Sequence, residues 1–373
     1  MEKTLSLEDS RAESIQWKQL WSLTALYASI IIGWIAYHNY QPKLLVQFHF
    51  TQYTLWLTIV QAIILVVTPP IAGRLGDKFR FSQGHRLPII STGIAFAAMV
   101  FMAVAFTLVS NPGEYFKWIL PVLIILWLVA MSIFTSPALS TLELFTPVEK
   151  LPVAMAVITI VGNLINSLEP VIVDIIDSIG PVLTFIIGGV VVFVSGYSLK
   201  QNSLGLFQQN AGRPRAVFTL DTKKSPKPFI FFLGASLGMA TTALFKFFPA
   251  VLQLNLAPII NMQGKYLIVI ILLISAVFSV PASKVIDKFG AQRVFWASLA
   301  VSVVSIAGVL LMTSSISTLF FAITFALSFT TLSVSSLPLA INEANYYEKV
   351  FCVGIFFSGV ELLDGLVDIF QAL

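Results

Sequence analysis

The sequence predicts an all-α membrane protein of about eleven transmembrane helices arranged as two pseudo-symmetric bundles. Three observations carry this expectation. Apolar residues make up 57% of the 373-residue chain and charged residues only 11%, with a mean hydropathy of +0.90, which leaves too little polar surface to cover a soluble core of that size. The apolar residues fall in runs of about 20, the length at which a helix crosses the hydrocarbon layer. One charged motif also occurs twice, as Asp77-Lys78-Phe79 and Asp287-Lys288-Phe289, with a small residue, Gly73 or Ser283, four positions before each Asp. A motif repeated at matching places in two halves marks an internal duplication.

Taken in order, residues 1–18 carry Glu2, Lys3, Glu8, Asp9, Arg11, Glu13 and Lys18 ahead of any apolar run, as a cytosolic tail does and a cleaved leader does not. Spans are predicted at 19–41, 53–73, 88–110, 117–138, 152–175, 179–199, 228–252, 266–285, 294–313, 316–338 and 350–371, each punctuated by Gly, Pro or charge. With the N-terminus in the cytosol, all of the 22 Lys and Arg residues except Lys43, Lys117, Lys246 and Lys265 fall in cytosolic loops. Retention of positive charge during insertion produces that asymmetry. It accounts for the isoelectric point near 9.1 without a nucleic-acid partner. Residues 200–227, with Gln201-Asn202, Arg213-Pro214-Arg215 and Lys223-Lys224, form the long hydrophilic stretch assigned as a cytosolic linker between a six-helix bundle (19–199) and a bundle of about five helices (228–373). Two further echoes support the division. Pro137-Ala138-Leu139 with Glu143 and Glu149-Lys150 is answered by Pro338-Leu339-Ala340 with Glu343 and Glu348-Lys349, and Val173-Asp174-Ile175 by Val367-Asp368-Ile369. In this register the twelfth helix of two six-helix halves is missing.

The island at 69–92 reads as a short turn between the second and third spans. Asp77 stands there among Lys78, Arg80 and Arg86, and a carboxylate so placed can pair with a neighbouring helix end or cation. Breaking that pair would let two bundles part, so Gly73, Asp77, Arg80 and Arg86, with Asp287 and Lys288 in the second copy, are candidate latch residues. The Gly-x-x-x-Asp pattern followed by cations resembles the loop between the second and third helices of the major facilitator superfamily. Within it the first 165 or so residues look most like the sucrose transporters and the glycoside, pentoside and hexuronide symporters, through Gly33-Trp34, Pro42, Trp56-Leu57, Pro69-Pro70, Gly84-His85-Arg86-Leu87-Pro88 and Val161-Gly162-Asn163-Leu164. The resemblance implies a monomeric secondary transporter in a bacterial inner membrane or plasma membrane, working by alternating access and taking up a sugar or glycoside with protons. Two departures limit it. Gln83-Gly84-His85-Arg86 is short of the branch's usual cations, and the second and fourth spans lack the acids of its melibiose members, which argues against a sodium site. An exporter of a drug, metabolite or organic anion is one alternative reading. A non-transporting scaffold, like the pigment-complex assembly proteins that share a similar loop, is another.

Charge within a bilayer costs at least about 2.5 kcal/mol at a helix centre, so intramembrane acids call for a reason. Glu361, Asp364 and Asp368 share one face of the last helix, and Glu361 lies about 16 Å from the start of that helix by helical rise, near mid-membrane. Glu361 and Asp364 are candidates for a coupling proton, with an interfacial amphipathic helix as the alternative. Glu169 and Asp174 on the fifth span are further candidates, placed toward the outer side with Pro170 as a kink. Lys246 is expected to snorkel to the outer surface, or else to pair with Glu169 or with the acids of the last helix and bridge the halves. Trp34, Tyr37, His38 and Gln41 share a face of the first helix, and aromatic faces with amide and imidazole groups suit a small polar ligand. An interfacial aromatic belt is the competing reading. Asn163 and Asn166 are polar groups that could meet substrate or another helix. The single Cys352 excludes an intramolecular disulfide, no His/Cys cluster has metal-ligand spacing, and no Gly-Lys-Ser/Thr loop cradles a phosphate. No cofactor is expected.

Overall fold

The computed structural model describes residues 14–110, 118–211 and 224–373. Among these, eleven helices are long and apolar enough to cross a membrane: α1 (Trp17–Gln47), α2 (Thr54–Gln83), α3 (Leu87–Ser110), α4 (Ile119–Leu139), α5 (Leu151–Ser167), α6 (Glu169–Ala211), α7 (Lys227–Leu256), α8 (Gly264–Phe289), α9 (Ala291–Leu311), α10 (Ser315–Glu343) and α11 (Lys349–Ala372). No strand occurs among the described residues, as expected where lipid offers the backbone no hydrogen-bond partners.

Three boundaries differ from the sequence reading, each for a local reason. The charged island is not all turn: α2 runs on through Asp77 and Arg80 to Gln83 and stops at Gly84, which takes a left-handed φ of 81°. Lys78, Phe79 and Arg80 can all continue a helix, whereas Gly84 tolerates the C-terminal conformation that ends one. The fifth span is interrupted at Leu168, just before Pro170, whose ring nitrogen donates no hydrogen bond to the preceding turn. The chain then reverses at Gly180 (φ 81°, ψ 167°) ahead of Pro181. Side-chain contacts trace the reversal: Tyr40 donates to the Ile176 carbonyl at 2.6 Å before it, while Ser195 meets Ser29 at 3.0 Å and the Asn202 carbonyl accepts from Gln19 at 2.9 Å after it. Finally, α6 continues to Ala211. The first part of the stretch assigned as linker is therefore helical, and 212–223, with Arg213, Arg215 and Lys223, lies outside the described residues, as does the expected loop cation Lys117.

Each bundle closes on its own aromatic core: Phe101, Trp127 and Phe134 are buried in the first, and Phe248, Phe325 and Phe356 in the second. Across the bundles α2 packs on α11 and α5 on α8. Advancing α2 and α11 by half of a twelve-helix cycle gives α8 and α5, so these two contacts are one contact repeated, which is what duplication requires. Lipid supplies no hydrophobic drive for this packing, and small residues let the backbones approach instead. A methyl at Gly73 would sit 2.5 Å from the Val350 carbonyl oxygen, and one at Gly354 would collide with the Pro69 carbonyl. The Gly of the Gly-x-x-x-Asp pattern thus brings α2 close enough for Asp77 to reach the end of α11.

Candidate functional site

On the Asp77 face, the bundles are held together by two charge arrangements. Asp77, 7% exposed, accepts the Val350 backbone N–H at 3.1 Å with one carboxylate oxygen and the Phe351 N–H at 2.9 Å with the other. These are among the unpaired donors of the first turn of α11, where the helix dipole also favours negative charge. One half thus caps a helix of the other. The second arrangement surrounds Glu143, on the single helical turn after α4. Its Oε1 accepts from Arg86 at 2.6 Å and lies 3.7 Å from Arg80, and its Oε2 meets Lys349 of α11 at 2.6 Å. Arg86 is 1% exposed and also donates to Ser140 at 2.6 Å. Burial lowers the pKa of its guanidinium, and the Glu143 carboxylate offsets part of that effect. Arg80 crosses the interface, donating to the Tyr346 carbonyl at 3.2 Å with its guanidinium 4.1 Å from the Tyr346 ring.

The second copy of the motif makes no such latch. Asp287 and Lys288 are exposed, and Asp287 has no hydrogen-bond or ion-pair partner among the described residues, so of the two expected latches only the one at Asp77 makes a contact across the bundles. Asp77→Asn tests the one that forms. An amide oxygen can accept one of the two N–H groups, but the amide nitrogen cannot accept the other. The loss is expected at about 1–2 kcal/mol of cap and dipole stabilisation, read as slowed transport at unchanged membrane abundance; wild-type rates would show that the cap does not hold the bundles.

Toward the opposite face the bundles part around a cavity of about 590 Å³. Trp34 and His38 of α1 border it from the first half, with Asn166, Glu169 and Asp174 from α5 and the start of α6. From the second half come Phe245 and Lys246 of α7, Lys265 of α8, and Glu361, Asp364 and Asp368 of α11. Lys265 is next to the first residue of α8 and Asp174 lies just before the Gly180 reversal, so the cavity reaches that face.

Lys246 does not snorkel. Its ammonium lies 2.8 Å from Asp364 Oδ1 and 2.7 Å from Asp368 Oδ1, and donates to the Asp364 carbonyl at 3.0 Å. It is presented by a π-helical turn, Ala243–Phe247, just before Pro249, the kind of irregularity that gathers at functional sites. Both partners belong to the second half, so this triad does not bridge the bundles. Asp364 is therefore an ion-pair member. Glu361, one turn away, has no hydrogen-bond or ion-pair partner among the described residues; nor do Glu169 and Asp174.

The first-helix candidates divide. Trp34 stacks on His38 with centroids 5.7 Å apart, and both face the cavity. Tyr37 and Gln41 turn into the first bundle instead: Tyr37 lies flat on Trp127 at 4.5 Å, and the Tyr37 hydroxyl and the Gln41 amide donate to the Gln61 side-chain oxygen at 2.9 and 3.4 Å. The shared face is wide enough to straddle cavity and core. Asn166 borders the cavity, whereas buried Asn163 donates to Ser275 of α8 at 2.8 Å and serves the contact between the halves. Glu143 and Lys349 carry no expectation of a latch in the sequence reading, although the Glu-Lys echo contains both; nothing in a sequence says that the acid of one half meets the cation of the other.

The sequence profile of the Major Facilitator Superfamily matches residues 9–360. A sequence search of curated proteins finds no match. Among solved structures, the chain is similar to a bacterial homologue of the iron transporter ferroportin in an outward-facing state with soaked iron, at 14% identity over 96% of this chain and 91% of that one with a TM-score of 0.66. It is also similar to the E. coli fucose:proton symporter, at 13% identity over 92% and 89% with a TM-score of 0.56. At such identities the likeness concerns the fold alone. The profile match over nearly the whole length, with eleven membrane-length helices among the described residues in two bundles, makes this chain a multi-pass membrane protein belonging to the major facilitator superfamily of transporters.

Proposed function

We propose that the protein is a secondary active transporter that works by alternating access and is driven by protons. One asymmetry carries the reading: the bundles are sealed on the Asp77 face and parted, around a cavity bordered by unpaired carboxylates, toward the other. A carrier needs such a pair of features, a site between the halves and a gate that can exchange sides. On this reading the Asp77 face is cytosolic, since the loop cations cluster there, and the geometry is outward-facing. Glu361 is the proton acceptor: it borders the cavity at mid-membrane depth, whereas Asp364 and Asp368 are engaged by Lys246. Both halves that border the cavity belong to the same chain, so the proposed cycle is that of a monomer in a bacterial inner membrane or plasma membrane. The transported solute is a small organic molecule, since a cavity of about 590 Å³ falls in the range of small-ligand sites.

Uptake of a sugar or glycoside is a second reading, favoured by the Trp34 ring with His38 against it and Asn166 on the same cavity. Purified protein in liposomes with an imposed pH gradient is expected to move protons only when a transported solute is added. A trapped pH dye reads this across sugars, amines and organic acids. If correctly inserted protein moves protons with none of them, the transport reading falls.

A further inference from the structure

Resting on that reading, we propose that the solute carries a positive charge, an amine or ammonium on an apolar or aromatic body, and that it binds in competition with the proton at Glu361, so that the protein exchanges one for the other. The argument begins with the charges left over once the cavity's own pairs are formed. Lys246 is consumed by Asp364 and Asp368, at 2.8 and 2.7 Å, and two ionised carboxylates against one ammonium leave that triad with a net negative charge. Lys265 is exposed near the mouth, its ammonium 5.0 Å from the Tyr266 ring. Glu361 on one side, with Glu169 and Asp174 on the other, border the same space without partners among the described residues. His38 faces them from α1, and Tyr27 of α1 lies near Glu361; neither carries a fixed positive charge. Five carboxylates from the two halves therefore border a partly desolvated space against two ammonium groups, Lys246 and the exposed Lys265, so negative charge is in excess. A solute that supplies the charge gains what a neutral one cannot.

The rest of the cavity surface selects the kind of cation. Among the described residues no group of three His, Cys, Asp or Glu side chains is gathered to hold a metal ion, so a bare divalent ion would lack a ligand shell. Trp34 and Phe245 instead present ring surface from opposite halves, and an aromatic face beside a carboxylate is the usual receptor for an organic ammonium. An organic anion would meet unbalanced like charge.

Coupling follows from the same residue. A cation held by ionised Glu361 and a proton on Glu361 exclude each other, so each lowers the other's affinity by the same factor. When the cation enters, the proton leaves the carboxyl oxygen for water on the side to which the cavity is open. When the cation departs on the other side, a proton from that side replaces it. Neutralisation by one or the other lets the carrier reorient, and the two move in opposite directions.

The test uses the full chain, purified in detergent, with three permanent cations of graded size, phenyltrimethylammonium, ethidium and tetraphenylphosphonium, beside sucrose, melibiose, gluconate and Mn²⁺. At least one organic cation is expected to bind, to release a proton into weakly buffered solution, and to bind about tenfold more weakly per unit fall in pH below the titration of the site, the slope of one displaced proton. Glu361→Gln is expected to weaken binding at least tenfold and to flatten the pH dependence, while Glu361→Asp keeps the charge and retains both behaviours. Binding of none of the three cations overturns the proposal, as does binding without proton release, or tighter binding of a sugar, gluconate or Mn²⁺. If liposomes move protons with a sugar but with no cation, the transport reading stands and this one falls.

Discussion

With Gln in place of Glu361, accumulation driven by a pH gradient is expected to disappear while the solute still equilibrates across the membrane. A gradient of one pH unit supports about tenfold accumulation at one proton per solute, since each tenfold ratio corresponds to about 1.4 kcal/mol. In the variant the ratio falls to about one. The physical reason is the cost of an unpaired carboxylate near mid-membrane, at least about 2.5 kcal/mol on insertion scales. On the proposed mechanism the wild-type carrier reorients only after that charge has been neutralised, whereas Gln is neutral at every pH and has no proton to exchange. Asp364→Asn separates coupling from support: Asp364 holds Lys246 at 2.8 Å, so its loss is expected to lower thermal stability and leave a pH-driven gradient in place. Full accumulation by the Glu361→Gln protein, measured with labelled solute in liposomes, would move the proton site to Glu169 or Asp174.

Glu143→Gln is expected to be the most destabilising single polar change on the Asp77 face. The Glu143 side chain is 9% exposed and meets Arg86 and Lys349, each at 2.6 Å, with Arg80 at 3.7 Å. Removing the charge strands buried cations, and breaking a buried pair in this way costs about 3–5 kcal/mol. Because Lys349 belongs to α11 and Glu143 follows α4, the loss falls on the contact between the halves as well as on the fold of the first. A fall in melting temperature of at least about 5 °C in detergent is expected. Asp287→Asn is the control: an exposed acid without a partner among the described residues should change stability by no more than about 0.5 kcal/mol. Equal effects of the two substitutions would show that the Glu143 cluster holds nothing.

The particular residues explain how much was legible. Eleven spans, the duplication and the family could be read because hydropathy and repeated loops are properties of the chain's order. That Asp77 can reach a helix end of the other half was legible because it stands among Lys78, Arg80 and Arg86 between two spans. Its partner was not legible: Val350 and Phe351 contribute only backbone N–H groups, which every residue but proline has. The same sequence pattern at Asp287 gives an exposed side chain, because pattern sets what a residue can do and packing sets what it meets. Lys246 looked like a snorkelling residue from its place near a helix end; the π turn that aims it at Asp364 and Asp368 leaves no local signature beyond Pro249. Tyr37 and Gln41 share a helical face with Trp34 and His38, yet the interface between cavity and core cuts through that face.

The central claim, that the bundles must part on the Asp77 face for solute to cross, can be tested with one covalent bond. An ideal Cβ at Gly76 of α2 lies 3.4 Å from the Val350 Cβ of α11, close to the spacing that a disulfide spans. In a Cys352→Ser background, Gly76→Cys with Val350→Cys is expected to form that bond under oxidation and to lock the latch. Transport in liposomes should then stop and solute binding from the opposite face persist, and reduction should restore transport to the rate of the reduced double variant. Transport that continues at that rate with the disulfide fully formed would contradict the account.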